Sequence, residues 1–297
     1  LVEIKTKYND ERRTQIVQNP GEIDIEDLIE EEESVITLTH FGYVKRLPSD
    51  TYRAQKRGGK GVIGLQTREE DFVETILTCS THDYLLFFTN KGRMYKLKAY
   101  QIPEGGRTAK GTAIVNLLQL ENNEKVTATI PIKEFEDGKY LVMMTRNGTI
   151  KKTSLTEYDT ARKGGIRAIE LDEDNDLINV ILTDGTKSLI IGTHNGNAIR
   201  FDENDVRPMG RIARGVRGIK LTGDDYVVGI SVCRDDGEVL VVSEYGFGKR
   251  TSLDEYKIQA RGGKGVTSYK ISDKTGNVAG IHIVDDNDDI MLITSEG

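Results

Sequence analysis

Leu85-Leu86-Phe87-Phe88-Thr89-Asn90-Lys91-Gly92 decides how this chain is read, because its pattern returns five more times. An apolar run, then Thr or Ser, two variable residues and glycine stand also at 35–42 (VITLTHFG), 141–148 (LVMMTRNG) and 189–196 (LIIGTHNG). They stand again at 239–246 (VLVVSEYG) and 290–297 (IMLITSEG). The glycines, Gly42, Gly92, Gly148, Gly196, Gly246 and Gly297, are 50, 56, 48, 50 and 51 residues apart. Self-similarity at such a period marks a repeat architecture. Short β-rich runs closed by Asn-Gly or Lys-Gly read as hairpins, with glycine supplying the positive φ of the turn.

Each unit reads as four strands. One precedes the run, as at 126–132, 179–182 or 227–232, and the run itself is the second. A third follows the glycine, as at 43–47 or 93–98, and a fourth lies beyond a basic, glycine-containing loop, as at 112–118 or 216–221. Four strands per roughly fifty residues predict an all-β, propeller-like fold of four-stranded antiparallel blades. Closure into a ring is expected over a linear solenoid, because closure removes exposed sheet edges. Five complete units and one half are expected, since Gly297 is the turn glycine of the sixth. The head of the chain differs. Residues 2–17 read as a short helical tail rich in both charges, broken by Asn19-Pro20-Gly21, and 22–33 as an acidic linker or edge strand. The expected organisation is therefore 1–33 as the end of a preceding domain with its linker, and 34–297 as the repeat domain. A start on Leu1 reads as a segment of a longer polypeptide.

The 297 residues are 37% hydrophobic, 30% charged and 6% aromatic, enough apolar content for a sizeable core. No apolar run reaches the ~18 residues of a membrane span, and no basic-then-apolar leader opens the chain. Cys79 and Cys233 stand far apart without CxxC spacing, usage that fits a reducing cytoplasm. The net charge of −7 does not exclude a polyanionic partner, because 22–33 alone hold eight acids and no base. Further acidic knots lie at 170–176 and 285–289, without the glycine and spacing of a calcium loop. Residues 45–60 carry six bases against Asp50.

With the repeats aligned on Thr and Gly alone, the other columns are independent tests. Four residues after the glycine stand Arg46, Lys96, Lys152, Arg200 and Arg250; fifteen after it stand Arg57, Arg107, Lys163, Arg211 and Arg261. With Lys and Arg making up 41 of 297 residues, five bases in one column arise by chance about once in twenty thousand trials. Eighteen residues after the glycine come Lys60, Lys110, Arg214 and Lys264, with Ile166 the exception. Lys45 and Lys249 sit beside the first column. A solvated face usually mixes signs, and the first two columns contain no acid. The expectation is a basic stripe round a rim that a long polyanion follows, each blade neutralising a few phosphates. The loop of the first unit, Gln55-Lys56-Arg57-Gly58-Gly59-Lys60-Gly61, adds glycines that let backbone N–H groups approach a phosphate. Residues 259–265 nearly copy it, as QARGGKG.

QKRGGKG at 55–61 resembles the basic glycine-rich box of the C-terminal domain of the DNA gyrase A subunit. The repeats from Ile25 onward resemble that domain throughout, including DIEDLI and THFGYVKR, and KYNDERRTQI at 7–16 resembles the end of the breakage–reunion domain before it. The resemblance implies a six-bladed β-pinwheel whose neighbouring blades exchange a strand, here with the sixth blade truncated. It implies a domain that wraps double-stranded DNA, largely without sequence preference, in a positive-handed turn. The wrapped duplex would then be passed through a cleaved one to introduce negative supercoils. Gln55, Lys56, Arg57, Gly58, Gly59, Lys60 and Gly61 take the role of the box. The cleaving tyrosine lies in the family's N-terminal domain, so no tyrosine here is nominated as catalytic. Implied partners are the gyrase B subunit and the N-terminal domain of the A subunit in an A2B2 holoenzyme of the cytoplasm, associated with the nucleoid and not with a membrane. No cofactor is implied for this domain; ATP and Mg2+ act elsewhere in the holoenzyme.

Three rivals make different demands. A topoisomerase IV A-type subunit generally has a degraded box, so the intact QKRGGKG sides with gyrase. A protein-binding propeller would carry Trp-Asp or Gly-Gly-aromatic signatures, and this chain has no Trp. A hydrolytic propeller with a central metal needs converging ligands. His40 and His194 instead share one turn position two before the glycine, while His82 and His282 stand alone.

Overall fold

The computed structural model describes residues 2–8, 25–49, 71–106, 108–162, 164–288 and 290. The chain divides into two units, 1–30 and 31–297. In the first, α1 (Val2–Tyr8) has Glu3 in its first turn and Lys5 and Lys7 in its last, the charge order that a helix dipole favours. The remainder of the expected helix and the Asn19-Pro20-Gly21 break lie outside the described residues. Residues Ile25–Leu28 form one 3-10 turn rather than a strand.

The second unit is built from hairpins. Blade 1 pairs β1 (Glu33–Thr39) with β2 (Tyr43–Pro48), and β3 (Val73–Ser80) adds to the free side of β1. Blade 2 repeats this with β4 (Tyr84–Thr89) and β5 (Arg93–Lys98). Between them and their own inner strand lies β6 (Thr112–Ala113), and this strand pairs with β2 of blade 1. The chain then returns as β7 (Val126–Ile132) to pair with β4. The same itinerary recurs with β8 (Tyr140–Thr145), β9 (Thr149–Ser154), β10 (Ile166–Arg167) and β11 (Leu177–Thr183). It recurs with β12 (Ser188–Thr193), β13 (Asn197–Asp202), β14 (Val216–Arg217) and β15 (Val227–Val232), and with β16 (Glu238–Ser243), β17 (Gly248–Ser252), β18 (Val266–Thr267) and β19 (Val278–Val284). β10 joins β5, β14 joins β9 and β18 joins β13, so every described outer strand is given to the preceding blade.

Each repeated residue has a mechanical reason. The Thr hydroxyl accepts the backbone N–H just past the turn: Thr39 from Tyr43 at 3.0 Å, Thr145 from Thr149 at 3.1 Å, Thr193 from Asn197 at 3.2 Å. The glycine N–H closes the turn on the Thr carbonyl, and the glycines take φ of +70° to +84°. The apolar runs are continuous rather than alternating because both faces of each hairpin are covered. Leu86 and Phe88 pack with Leu141 and Met143 of blade 3, whereas Leu85 and Phe87 pack with Ile36 and Leu38 of blade 1. Val142 and Met144 meet Leu189 and Ile191, and Ile190 meets Val239 and Val241. The core is thus a series of layers between successive blades.

Three expectations are corrected. The strand ahead of each run belongs to the blade before it, as β7 shows by pairing with β4 and not with β8. The pattern of an antiparallel strand records which face is buried, not which hairpin it joins. The expected outer strands 112–118 and 216–221 shrink to two paired residues each. The six-bladed count also differs: the described residues form five sheets, four of four strands and a fifth with the order β17-β16-β19. Of the sixth run only Ile290 is described.

Candidate nucleic-acid interface

The column four residues after the turn glycine lies on the third strand of the motif, where the next unit's chain crosses back with its outer strand. Arg46 reaches Glu32 Oε1 at 3.0 Å and Glu104 Oε2 at 3.6 Å, and its Nε donates to the Ile102 carbonyl at 3.4 Å. Lys96 reaches Asp159 Oδ1 at 3.3 Å, with its ammonium over the Tyr84 and Phe135 rings. Lys152 is 3.0 Å from Glu203 Oε2 and 3.3 Å from Asn204 Oδ1. Arg200 Nη1 donates to the carbonyls of Leu253 at 3.1 Å and Tyr256 at 3.3 Å. In all four, the cation fastens the crossing segment of the next blade. Arg250, on blade 5, pairs with Glu238 and with Asp286 at 2.8 Å, and its side chain is the most open of the column at 42% exposed. The regularity of this column follows from the strand exchange, which happens once per unit.

The rim reading is therefore corrected for the most buried of these. Lys45 and Lys152 are each 1% exposed, with their ammonium groups engaged on protein acceptors, so they present no charge at a surface. Arg46, Lys96 and Arg200 are half-buried and paired.

The loops behave differently. Among the described members of the other columns, Lys264 and Arg214 are exposed, and Arg211, Arg261 and Lys110 half-buried. Lys110 lies 3.7 Å over the Tyr43 ring. Arg214 reaches Asp172 at 2.6 Å and Glu170 at 3.3 Å. Lys249 and Lys264 are exposed and make no ion pair among the described residues. The box residues Gln55, Lys56, Arg57, Gly58, Gly59, Lys60 and Gly61, with Arg107 and Lys163, lie outside the described residues.

The near-copy at 259–265 shows what its glycines do locally. The Gln259 N–H donates to the Arg200 carbonyl at 2.8 Å, and Gly265, at φ +72°, passes so close to β13 that a Cβ would lie 2.2 Å from the Ala198 carbonyl oxygen. This loop also touches the outer strand before it. Gly262 N donates to Gly218 O at 2.7 Å, Lys220 N to Gly263 O at 2.8 Å, and Arg261 Nη1 to Arg217 O at 3.0 Å. One blade earlier, Glu170 N donates to Ala213 O at 3.3 Å. Each of these basic loops is thus joined, backbone to backbone, to the segment that follows the preceding loop. The joins put exposed Arg217 and Lys220 against the loop of Arg261 and Lys264, and exposed Arg167 stands three residues before the contact of Glu170 with the loop of Arg211 and Arg214. No repeated column of bases marks these three, or Lys151, because their positions are not basic in every unit.

His40 and His194 are turn residues, stacked on Phe72 at 4.8 Å and on Tyr226 at 4.3 Å. Among the described residues no three His, Cys, Asp or Glu side chains gather as metal ligands would. Burial pushes the Cys79 thiol up to about 11 and raises that of Cys233, so neither is an activated nucleophile.

The family model described as the DNA gyrase C-terminal domain, beta-propeller, matches residues 33–80, 83–133, 139–184, 187–234 and 237–285. The chain is 58% identical over its whole length to the DNA gyrase A subunit of Clostridium acetobutylicum, covering 36% of that protein. It is 48% identical over 99% of its length to the DNA gyrase A subunit of Salmonella typhimurium, covering 34% of it. The chain thus spans about a third of the curated relatives it matches. Among solved structures, a DNA gyrase A C-terminal domain aligns with TM-score 0.73 and 30% identity over 86% of this chain and 83% of that one. The C-terminal domain of a DNA topoisomerase IV aligns with TM-score 0.71 and 31% identity over 87% and 79%. Matched in five consecutive segments that cover every described blade, the chain belongs to the DNA gyrase C-terminal domain family.

Proposed function

We propose that this chain wraps duplex DNA along its linked basic loops, as the DNA-wrapping part of a gyrase that introduces negative supercoils by ATP-dependent strand passage. The observation that carries the reading is the backbone linkage of segment 218–220 to loop 261–265, which puts exposed Arg217 and Lys220 beside the loop that carries exposed Lys264. Phosphate contacts gain from counterion release, with a salt slope of about −0.9 per neutralised phosphate. Smooth bending of a 20–30 bp site costs on the order of 1–6 kcal/mol, so attraction spread over several blades suits a wrap better than one strong site. Nothing in the loops repeats a base-reading set, which favours shape-tolerant binding of the kind histones use.

On this reading the sixth half-unit completes a six-bladed pinwheel, and QKRGGKG at 55–61 is the box that wrapping requires. Arg107 and Lys163 extend the same path. The gyrase B subunit and the N-terminal part of the A subunit are the partners in an A2B2 assembly, in the cytoplasm at the nucleoid. ATP and Mg2+ are used outside this domain. The test is plasmid topology: a nicked circle is sealed by ligase in the presence of the chain and its linking number read on a gel. A shift in the positive direction that grows with protein and is lost in Arg57→Ala/Lys60→Ala is expected; an unchanged linking number at saturating protein overturns the wrap.

A further inference from the structure

We infer that Lys45 and Lys151 are positioning residues for DNA binding: each holds, from beneath, the basic loop that the next unit lays across its strand. The inference rests on the wrapping reading above. Lys45 is 1% exposed and Lys151 0%, and each stands three residues after a turn glycine, on β2 and β9. Lys45 Nζ donates to the carbonyls of Gly106 at 3.1 Å and Ala109 at 3.0 Å. Lys151 Nζ donates to the carbonyls of Ala168 at 2.5 Å and of Arg211. Ala109 precedes Lys110, and Arg211 opens the loop that ends at Arg214. The lysines therefore grip the backbone that carries half-buried Lys110 and Arg211 and leads to exposed Arg214.

A second grip lies further along each loop. Gly111, at φ +88°, and Gly215, at φ +101°, press onto the same strands so closely that a Cβ would lie 2.6 Å from the Val44 carbonyl oxygen and 2.5 Å from that of Ile150. The glycine sets where the loop crosses, and the lysine sets where its carbonyls point. Carbonyl oxygens repel phosphate, so drawing them inward to an ammonium clears the outer side for the anion. In blades 2 and 4 the same position is filled by packing instead. The Tyr95 ring occupies the space where a Cβ on Gly165 would stand 2.4 Å away, and Ile199 Cδ1 lies 3.6 Å from that of Gly263. Lysine is the polar version of a support found under each of these loops.

The two lysines differ from Tyr95 and Ile199 in carrying a charge that titrates. Lys151 faces Arg211 from the loop, and Glu157 and the Tyr158 hydroxyl from the turn after β9; Tyr158 donates to the same Ala168 carbonyl at 3.1 Å. Burial, reinforced by Arg211, lowers Lys151 to about 7. Burial lowers Lys45 as well. Above neutrality Lys151 therefore loses its charge and with it much of its grip on the loop.

Fluorescence anisotropy of the 297-residue chain on linear duplex, at fixed salt from about pH 6 to about 8.5, tests this with Lys151→Met and Lys45→Met. Circular dichroism and cooperative melting first establish that each variant is folded. Wild-type affinity is expected to fall as pH rises through about 7. Lys151→Met is expected to bind about fivefold more weakly at the acid end, with a flattened pH profile and a salt slope smaller by about one phosphate. Lys45→Met is expected to weaken binding while keeping the pH step. If Lys151→Met does not fold, Lys151→Gln, which keeps a donor without the charge, is expected to lose the same step. Folded variants that match the wild type in affinity, salt slope and pH profile overturn the inference and leave the wrapping reading standing. A wild-type chain that binds no duplex overturns both.

Discussion

The Lys152 ammonium lies 3.0 Å from the Glu203 carboxylate, and the two side chains are 1% and 0% exposed. One belongs to the hairpin of blade 3, the other to the segment that leaves the hairpin of blade 4 on its way to β14. Glu203 also accepts from Thr183 Oγ1 at 2.8 Å and from Lys187 N at 2.7 Å, so its carboxylate ties the crossing segment to two blades at once. The same residue type that stands exposed on the basic loops, as Arg214 and Lys264 do, is used here inside the protein, as a fastener of exchanged strands.

A buried ion pair is costly to break from one side, because the remaining charge keeps its desolvation penalty without its partner. Lys152→Met and Glu203→Gln are each expected to lower unfolding stability in denaturant, Lys152→Met by about 3–5 kcal/mol. The double variant is expected to be less unstable than the sum of the singles. Strict additivity would show that the pair is not coupled.

The turn glycines give a sharper contrast. Gly196, at φ +84°, receives the exchanged strand: its carbonyl accepts from Ser268 N and Tyr269 N, and a Cβ would stand 2.2 Å from the Tyr269 carbonyl oxygen. Gly246, at φ +78° in blade 5, has nothing within 4 Å of a Cβ among the described residues. Gly196→Ala therefore meets both strain and collision and is expected to cost several-fold more than Gly246→Ala, for which about 1 kcal/mol of backbone strain is expected. Thermal unfolding of the two variants side by side checks this; equal losses would show that the exchanged strand is not what demands the glycine.

The turn motif was readable in the sequence because local geometry dictates it: a Thr hydroxyl on the N–H of Tyr43 or Asn197, and a glycine with positive φ between them. The strand exchange was not readable from pattern. β6 and β7 are both short antiparallel segments in the stretch between one hairpin and the next, and nothing in their own residues says that one pairs with β2 and the other with β4. The basic columns were visible as charge, yet their division into fasteners and surface was not. The partners that bury Lys152, Arg46 and Lys96 (Glu203, Glu104 and Asp159) do not recur as one residue type at one aligned position. Arg217 and Lys220 were not legible as neighbours of loop 261–265 because they meet it through the backbone contacts of Gly218 and Gly263, which no spacing encodes.

Lys151 also predicts how stability responds to pH. Its pKa lies at about 7 in the folded chain against 10.5 ordinarily, so between those values the unfolded chain holds a proton that the folded chain has released. The burial penalty on the charged lysine is fully present below about pH 7 and is relieved progressively as pH rises from that value towards 10.5. The group therefore contributes up to about 1.4 kcal/mol of stability per pH unit between the two values. Urea unfolding midpoints at several pH values across that window are expected to rise in the wild type relative to Lys151→Met. Parallel pH profiles for the two proteins would refute the assignment. The trend runs opposite to that expected for DNA affinity, so one pH series separates the two effects.

Arg214 tests the surface itself. Its guanidinium reaches Asp172 at 2.6 Å and Glu170 at 3.3 Å, with side chains 61%, 63% and 42% exposed. Exposed pairs of this kind contribute only about 0–1 kcal/mol, so a phosphate can displace the two acids at little cost. Until it does, the acids stand where the anion would lie, beside the contact between Glu170 N and the Ala213 carbonyl that joins the segment after β10 to loop 211–215. Glu170→Gln/Asp172→Asn removes two negative charges within about a Debye length of the path, ~10 Å at moderate salt. On the wrapping reading this variant is expected to bind duplex several-fold more tightly at low salt, with a salt slope steeper by about one phosphate. The advantage should shrink as salt rises, because the repulsion it removes is screened. Electrophoretic mobility shifts across a salt series check the outcome; unchanged or weaker binding at low salt would mean that loop 211–215 does not lie on the DNA path.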